Sequence, residues 1–366
     1  MKAARFFLLL IYISILIVNI SAQDEDEVIR VETQIIDVPV VVTDKDGKPL
    51  LNLKKNNFVI YEDGKPQEIS DFSATAAPFE VALLLDTSGS TRQDLLLIKR
   101  AADNFIASLR PGDRVAIIAY KTERTTTEAY AVSEVLSGLT DDRTSLKAAL
   151  EKAQNSNSTP FYDSLLQVVE KVFAEKPAAE FRGRRALVAL TDGVDSVSVG
   201  DFEEVREKFN ESGVVSFFIQ VNTRDYFEEN LLGECYSEIT RFSPAQINRY
   251  YRTFPKQSNM EKTTDFCKIG DFERLDISKK LYELADKEMN ELAKNSGGKV
   301  FPIEDLSGAR TAFKKVADEI GTKYSLGYYS SNEKRDGTFR KIKVELKGIP
   351  AGATVRAREG YTAPTK

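Results

Sequence analysis

The chain has 366 residues, 51 of them basic and 56 acidic, with no histidine, no tryptophan and only two cysteines. The missing imidazole excludes Ser-His-Asp and Cys-His catalysis and the usual zinc sites. A net charge of -5 argues against a nucleic-acid partner, because phosphate binding needs concentrated positive charge.

In chain order, Lys2 and Arg5 precede an apolar stretch from Phe6 to Ile20, followed by Ser21-Ala22 and an acidic run. This is the pattern of a secretory signal peptide over residues 1–22, cut after Ala22, so the mature chain is expected to be secreted or periplasmic. An uncleaved anchor is the alternative, although the stretch is short for a span. No later segment is long and apolar enough to cross a bilayer. Removing Lys2 and Arg5 from the 51 basic residues leaves 49 against 56 acids, a net charge of -7. Residues 23–75 alternate apolar and polar positions, as in Ile35 to Val42 and Phe58 to Tyr61, with turn signals at Asp46-Gly47 and Asp63-Gly64. They predict a small β unit.

From 76 to 323 strands and helices alternate, which predicts a doubly wound, mainly parallel sheet covered on both faces. Its first strand, Val81 to Leu85, is apolar throughout and stops at Asp86-Thr87-Ser88-Gly89-Ser90. Such a run fits a strand buried on both faces, and its carboxyl end is where open α/β sheets place ligands. Asp86, Ser88 and Ser90 offer hard oxygens with one carboxylate among three, a set suited to Mg2+ with retained waters. For that segment alone, a turn with a helix cap is an equally good reading. Two further pieces stand downstream: Thr159, a hydroxyl just before the helix start at Pro160, and Asp192, the acid ending the strand Ala186 to Leu190. Asp163 and Asp195 are candidate outer partners. Asp163 also suits a first helical turn by its charge alone, and Asp195 also suits a turn cap. Helices are expected over Gln93–Leu109, Thr144–Gln154, from just after Thr159 to about Glu175, Phe202–Asn210, Asp276–Asn295 and Ala309–Ile320.

Residues 224–276 interrupt this alternation. Nine of these 53 are Phe or Tyr, and both cysteines, Cys235 and Cys267, lie among them. In an oxidising compartment the two are expected to form a disulfide, and the segment is read as a folded insertion, either part of a recognition surface or a flap over the sheet edge. From 324 to 366 the pattern returns to β. Neither this segment nor 23–75 is long enough for a good core, so the two are expected to pack together as one sandwich-like unit.

The set Asp86, Ser88, Ser90, Thr159 and Asp192 resembles the metal-ion-dependent adhesion site of von Willebrand factor A domains, in which DxSxS is followed by a Thr and then an Asp. Leu292 to Gly298, Tyr324 to Tyr328, Asp336 to Arg340 and Val355 to Tyr361 are similar to a related family known mainly from Acidobacteria. The resemblance implies a Rossmann-like fold and a cation, Mg2+ or alternatively Mn2+ or Ca2+. Ser88, Ser90 and Thr159 would contact it, and Asp86 and Asp192 would bind directly or through water. It further implies a protein ligand presenting an Asp or Glu to the open position. Alternatives are a structural envelope component whose metal only stiffens it, or a metal-dependent phosphatase or hydrolase. Against the last, a haloacid dehalogenase-type site needs a second Asp where Ser88 stands, and no general base is evident near the motif.

Overall fold

Fourteen strands and eight helices are set out along a computed structural model that describes residues 35–73, 77–89, 95–126, 128–229, 231–235, 241–255, 262–349 and 351–365. The signal peptide expected over 1–22 lies outside the described residues. The amino-terminal segment supplies β1 (Ile35–Thr43), β2 (Phe58–Glu62), β3 (Lys65–Gln67) and β4 (Ile69–Ser73). Asp63 and Gly64 turn the chain between β2 and β3 with positive φ.

Next come β5 (Glu80–Leu85), α1 (Leu95–Ser108), β6 (Arg114–Arg124), β7 (Ala129–Thr140), α2 (Arg143–Glu151) and α3 (Phe161–Gln167). They are followed by β8 (Arg185–Thr191), α4 (Phe202–Ser212), β9 (Val215–Val221), α5 (Arg224–Glu229), α6 (Pro244–Thr253), α7 (Asp271–Ser296), β10 (Lys299–Ile303) and α8 (Ala309–Gly321). The carboxyl end gives β11 (Tyr324–Tyr329), β12 (Phe339–Leu346), β13 (Thr354–Ala357) and β14 (Gly360–Thr362).

The central sheet runs β10-β9-β8-β5-β6-β7, all parallel except the edge strand β7. This is the doubly wound, mainly parallel α/β class expected from the sequence. Alternate side chains of each strand enter different helical layers. Val81, Leu83 and Leu85 pack with α1, α2 and α8, whereas Ala82 and Leu84 pack with α3, α4 and α7. Every residue of β5 is therefore buried, which is why the strand is apolar without interruption. The chain leaves β5 toward β6 on one side and returns to β8 on the other, so the sheet's switch point falls between β5 and β8.

Two antiparallel sheets lie outside this layer, β13-β1-β11-β4 and β14-β12-β2-β3. They share one apolar cluster that includes Val38, Val40, Ile60, Leu326, Tyr328, Ile342 and Tyr361. Within that cluster the Glu62 carboxylate, 2 % exposed, accepts hydrogen bonds from Tyr328, Tyr361 and Ser330 and lies 3.5 Å from the Arg340 guanidinium. A buried charge persists only when satisfied in this way.

Two helix boundaries differ from the sequence expectation by five residues or more. The helix expected from Asp276 begins five residues earlier, at Asp271, because Gly270 supplies an extended cap and Asp271 and Glu273 place acids in the first turn. The helix expected to reach Glu175 is α-helical only to Gln167 and closes through a π turn at Val168–Val172; Pro160 stands at its cap, one position before the first turn. At the other end of α7, Gly297 takes φ 75°. A Cβ on the next residue, Gly298, would stand 1.8 Å from the Ser216 carbonyl oxygen, so only glycine fits where the helix turns into β10.

The described residues of the aromatic insertion are folded. They contain α5, α6, a short 3-10 turn at Phe266–Lys268 and a disulfide between Cys235 and Cys267. Leu231, Phe242, Ile247, Tyr250 and Phe266 make a cluster of their own against Ile277 and Leu281 of α7. Arg274 fastens the first turn of α7 to the insertion by donating to the carbonyls of Leu231 and Gly233.

Candidate metal centre

The parallel register pairs Leu85 with Leu190, and the Asp86 N–H donates to the Leu190 carbonyl at 2.9 Å. Two acids, Asp86 and Asp192, thus leave the ends of adjacent strands at the switch point, where an α/β sheet opens a crevice. The Asp86 carboxylate is 1 % exposed and accepts from the Ser88 N–H at 3.0 Å and from Thr191 Oγ1 at 2.7 Å. Burial pushes this carboxyl above the usual range, and the bonds from Ser88 and Thr191 pull it back. Thr87 turns the other way, with its hydroxyl donating to the Tyr120 carbonyl, so the alternation of the turn leaves Ser88 to line the cleft.

Thr159 reaches the same place from a loop sewn to both strand ends. The Ser156 N–H donates to the Thr87 carbonyl at 2.7 Å. The Thr159 N–H donates to Ser196 Oγ at 2.8 Å, and the Ser196 N–H returns to the Thr159 carbonyl at 2.9 Å. Asp192 accepts from the Val194 N–H through one oxygen and from Thr223 Oγ1, at 2.5 Å, through the other. The Thr223 hydroxyl is also 2.8 Å from the Tyr282 hydroxyl of α7.

Ser88, Thr159 and Asp192 line one cleft of about 550 Å³, which Asp86 adjoins through its bond to Ser88. Ser90 lies outside the described residues. Asp163 and Asp195 do not line the cleft. Asp195 accepts from the Phe161 and Tyr162 N–H groups at the start of α3 and from Ser198 Oγ at 2.5 Å; burial pushes its carboxyl up to about 7. Asp163 accepts from the Val199 and Gly200 N–H groups. Both carboxylates clamp the loop after β8 to the first turn of α3, and that clamp carries the strand of chain bearing Thr159.

Among the described residues no three of His, Cys, Asp and Glu gather as a metal cluster. The donor set at the cleft is instead two carboxylates with neutral hydroxyls, which fits a hard divalent cation that keeps waters.

Three contributors escape a reading of sequence alone: Thr191, Thr223 and Tyr282. Thr223 carries a usable signal, a hydroxyl two residues beyond β9, the parallel strand next along the sheet from β8. Tyr282 carries none, because it lies inside α7 and meets the site only through tertiary packing.

The von Willebrand factor type A domain family model matches residues 80–261. No curated protein matches the sequence. Among solved structures, proximal thread matrix protein 1 from the mussel byssus is 14 % identical, covering 79 % of this chain and 51 % of its own, with a TM-score of 0.43. A von Willebrand factor type A protein from Catenulispora acidiphila is 13 % identical over 92 % of this chain and 75 % of its own, with a TM-score of 0.42. The mussel protein with a zinc-occupied MIDAS motif gives 15 % identity, 74 % and 50 % coverage and a TM-score of 0.42. The chain spans about half the length of the mussel protein it matches.

Proposed function

The chain carries a von Willebrand factor type A domain, and from that premise we propose that it is an exported, metal-ion-dependent protein-binding module. In this reading Ser88, Ser90 and Thr159 hold a divalent cation, Mg2+ before Mn2+ or Ca2+, with Asp86 and Asp192 bound directly or through water. The cation, when bound, supplies an electron-poor open position for an Asp or Glu carboxylate of a partner protein. The protein's own groups do the positioning. Thr191 and the Ser88 N–H orient Asp86, and Thr223 orients Asp192. The observation that carries the reading is the convergence of Ser88, Thr159 and Asp192, from three separate segments, on one cleft at the sheet's switch point.

No catalytic residue is assigned. The chain has no histidine, and Ser88 stands where an acid/base would be needed for phosphotransfer. Export into the periplasm or beyond follows from the signal-peptide pattern ending near Ala22 and agrees with a disulfide, which persists in oxidising compartments. Among the described residues no helix is long and apolar enough to cross a membrane. The domain arrangement proposed with this is a type A unit at 76–323 inserted between the two halves, 23–75 and 324–366, of a sandwich.

The test is an affinity capture from envelope extract with the immobilised mature chain, run in Mg2+ and in chelator. A discrete partner retained in Mg2+ and released by EDTA is the expected result. Retention that ignores EDTA would contradict the reading, and a metal-induced rise in melting temperature with no metal-dependent partner would favour a purely structural role.

A further inference from the structure

We infer that the aromatic insertion makes the centre selective for an extended partner segment in which the metal-seeking Asp or Glu stands next to an aromatic residue. This inference rests on the metal-dependent reading above and adds the neighbour that the cleft demands. One side of the cleft is the polar set already described. The insertion and α7 add an aromatic part, where Tyr226, Phe227, Phe242 and Tyr282 line the same space. Three of these rings form a connected series, with Phe227 5.4 Å from Phe242 and 6.4 Å from Tyr282, and Phe242 is 5.8 Å from Phe266 behind it.

That wall is held in place at three points. The Ser243 hydroxyl donates to the Ser196 carbonyl at 2.5 Å, tying the insertion to the loop that supports Thr159. Arg249 pairs with Glu288 of α7. Cys267, next to Phe266, is bonded to Cys235. A wall fixed in advance loses little on binding, so its aromatic surface is available for selectivity.

The volume of about 550 Å³ lies in the range of small-ligand pockets and has room for a few side chains only. A carboxylate directed at the polar floor would place its neighbouring side chain against the rings, where an aromatic group gains edge-to-face contacts beyond simple burial. Charge favours the same occupant. The mature chain carries a net charge of -7, which repels an acidic partner at long range, whereas the lining of this cleft includes a basic residue, Arg241.

The experiment titrates three capped hexapeptides into the full mature chain in Mg2+, followed by NMR or calorimetry: one with adjacent Phe and Asp, one with the Phe replaced by Ala, one with the Asp replaced by Asn. Tyr226, 52 % exposed, is the wall residue that can be changed without opening the buried ring cluster. The Phe–Asp peptide should bind at least fivefold more tightly than the Ala–Asp peptide, with both lost on chelation. Tyr226→Ala should bring the ratio close to one, and Arg241→Gln should weaken both acidic peptides together and leave the ratio unchanged. Equal affinity of the two acidic peptides, or a ratio untouched by Tyr226→Ala, overturns this inference while Mg2+-dependent binding of both keeps the metal reading. Binding of the Asn peptide as tightly as the Asp peptides, in Mg2+ and in EDTA alike, overturns both.

Discussion

Asp86→Asn is expected to abolish the Mg2+-induced rise in melting temperature while leaving the metal-free fold as stable as before, or more so. The side chain is almost fully buried, and its shift upward comes first from desolvation. In the absence of a cation the carboxylate therefore weighs against folding, and a neutral amide of the same shape removes that cost. The amide can still accept from the Ser88 N–H and exchange a hydrogen bond with the Thr191 hydroxyl, so the turn keeps its geometry. What it loses is the charge for a cation. At a Mg2+ concentration about 100 times the dissociation constant, the native chain should gain about 2.7 kcal/mol of stability, and the variant essentially none. Thermal unfolding with and without Mg2+ reads both effects. A variant that keeps the native Mg2+ response would remove Asp86 from the centre, and one that does not fold without metal would show that its charge is needed structurally.

Arg249→Ala should destabilise the protein by about 3 kcal/mol at pH 8, the cost of leaving a buried charge without its partner. Arg249 of α6 donates through Nη2 to both Glu288 oxygens, at 2.7 and 2.6 Å, and its guanidinium lies 4.7 Å from the centre of the Tyr162 ring. Tyr162 of α3 donates its hydroxyl to the same carboxylate. Three elements, from the insertion, α7 and α3, therefore meet at one charge. Burial raises Glu288 above its ordinary 4.5 and Arg249 pulls it only part of the way back, which leaves it at about 7. Burial also lowers Arg249, yet a guanidinium stays protonated throughout this range, so the pair remains ionic wherever Glu288 is ionised.

The sign of the pH effect follows. A carboxyl raised on folding contributes stability that is fully present below 4.5 and is lost as pH rises through about 7. Removing Arg249 raises Glu288 further and deepens that loss. The gap in melting temperature between native chain and variant should thus be small at pH 5 and large at pH 8. An equal gap at both, or a larger one at pH 5, would mean that the effect comes from lost packing against Tyr162 alone.

The architecture was legible because its signals are local. An apolar run such as Val81 to Leu85 can be buried on both faces only in a covered sheet, and acids at the ends of two such runs mark the crevice side. Thr159 was legible from its place before Pro160. The helix boundaries were less so, since Asp271 extends α7 beyond the acid at Asp276 that looked like its start, and a π turn shortens α3. The support of the centre was the least legible part. Thr223 and Tyr282 are 59 residues apart, and only packing of α7 on the sheet brings their hydroxyls together. The aromatic residues of the insertion announced a folded unit, but nothing in their order showed that Tyr226 and Phe242 would line the same cleft as Ser88 and Thr159.

The most direct test is anomalous diffraction from crystals of the mature chain soaked in Mn2+. A single strong peak is predicted at coordinating distance from Ser88 and Thr159, with Asp86 and Asp192 bound to it directly or through one water. A peak elsewhere, or a cleft that stays free of Mn2+ at millimolar concentration, would contradict the account.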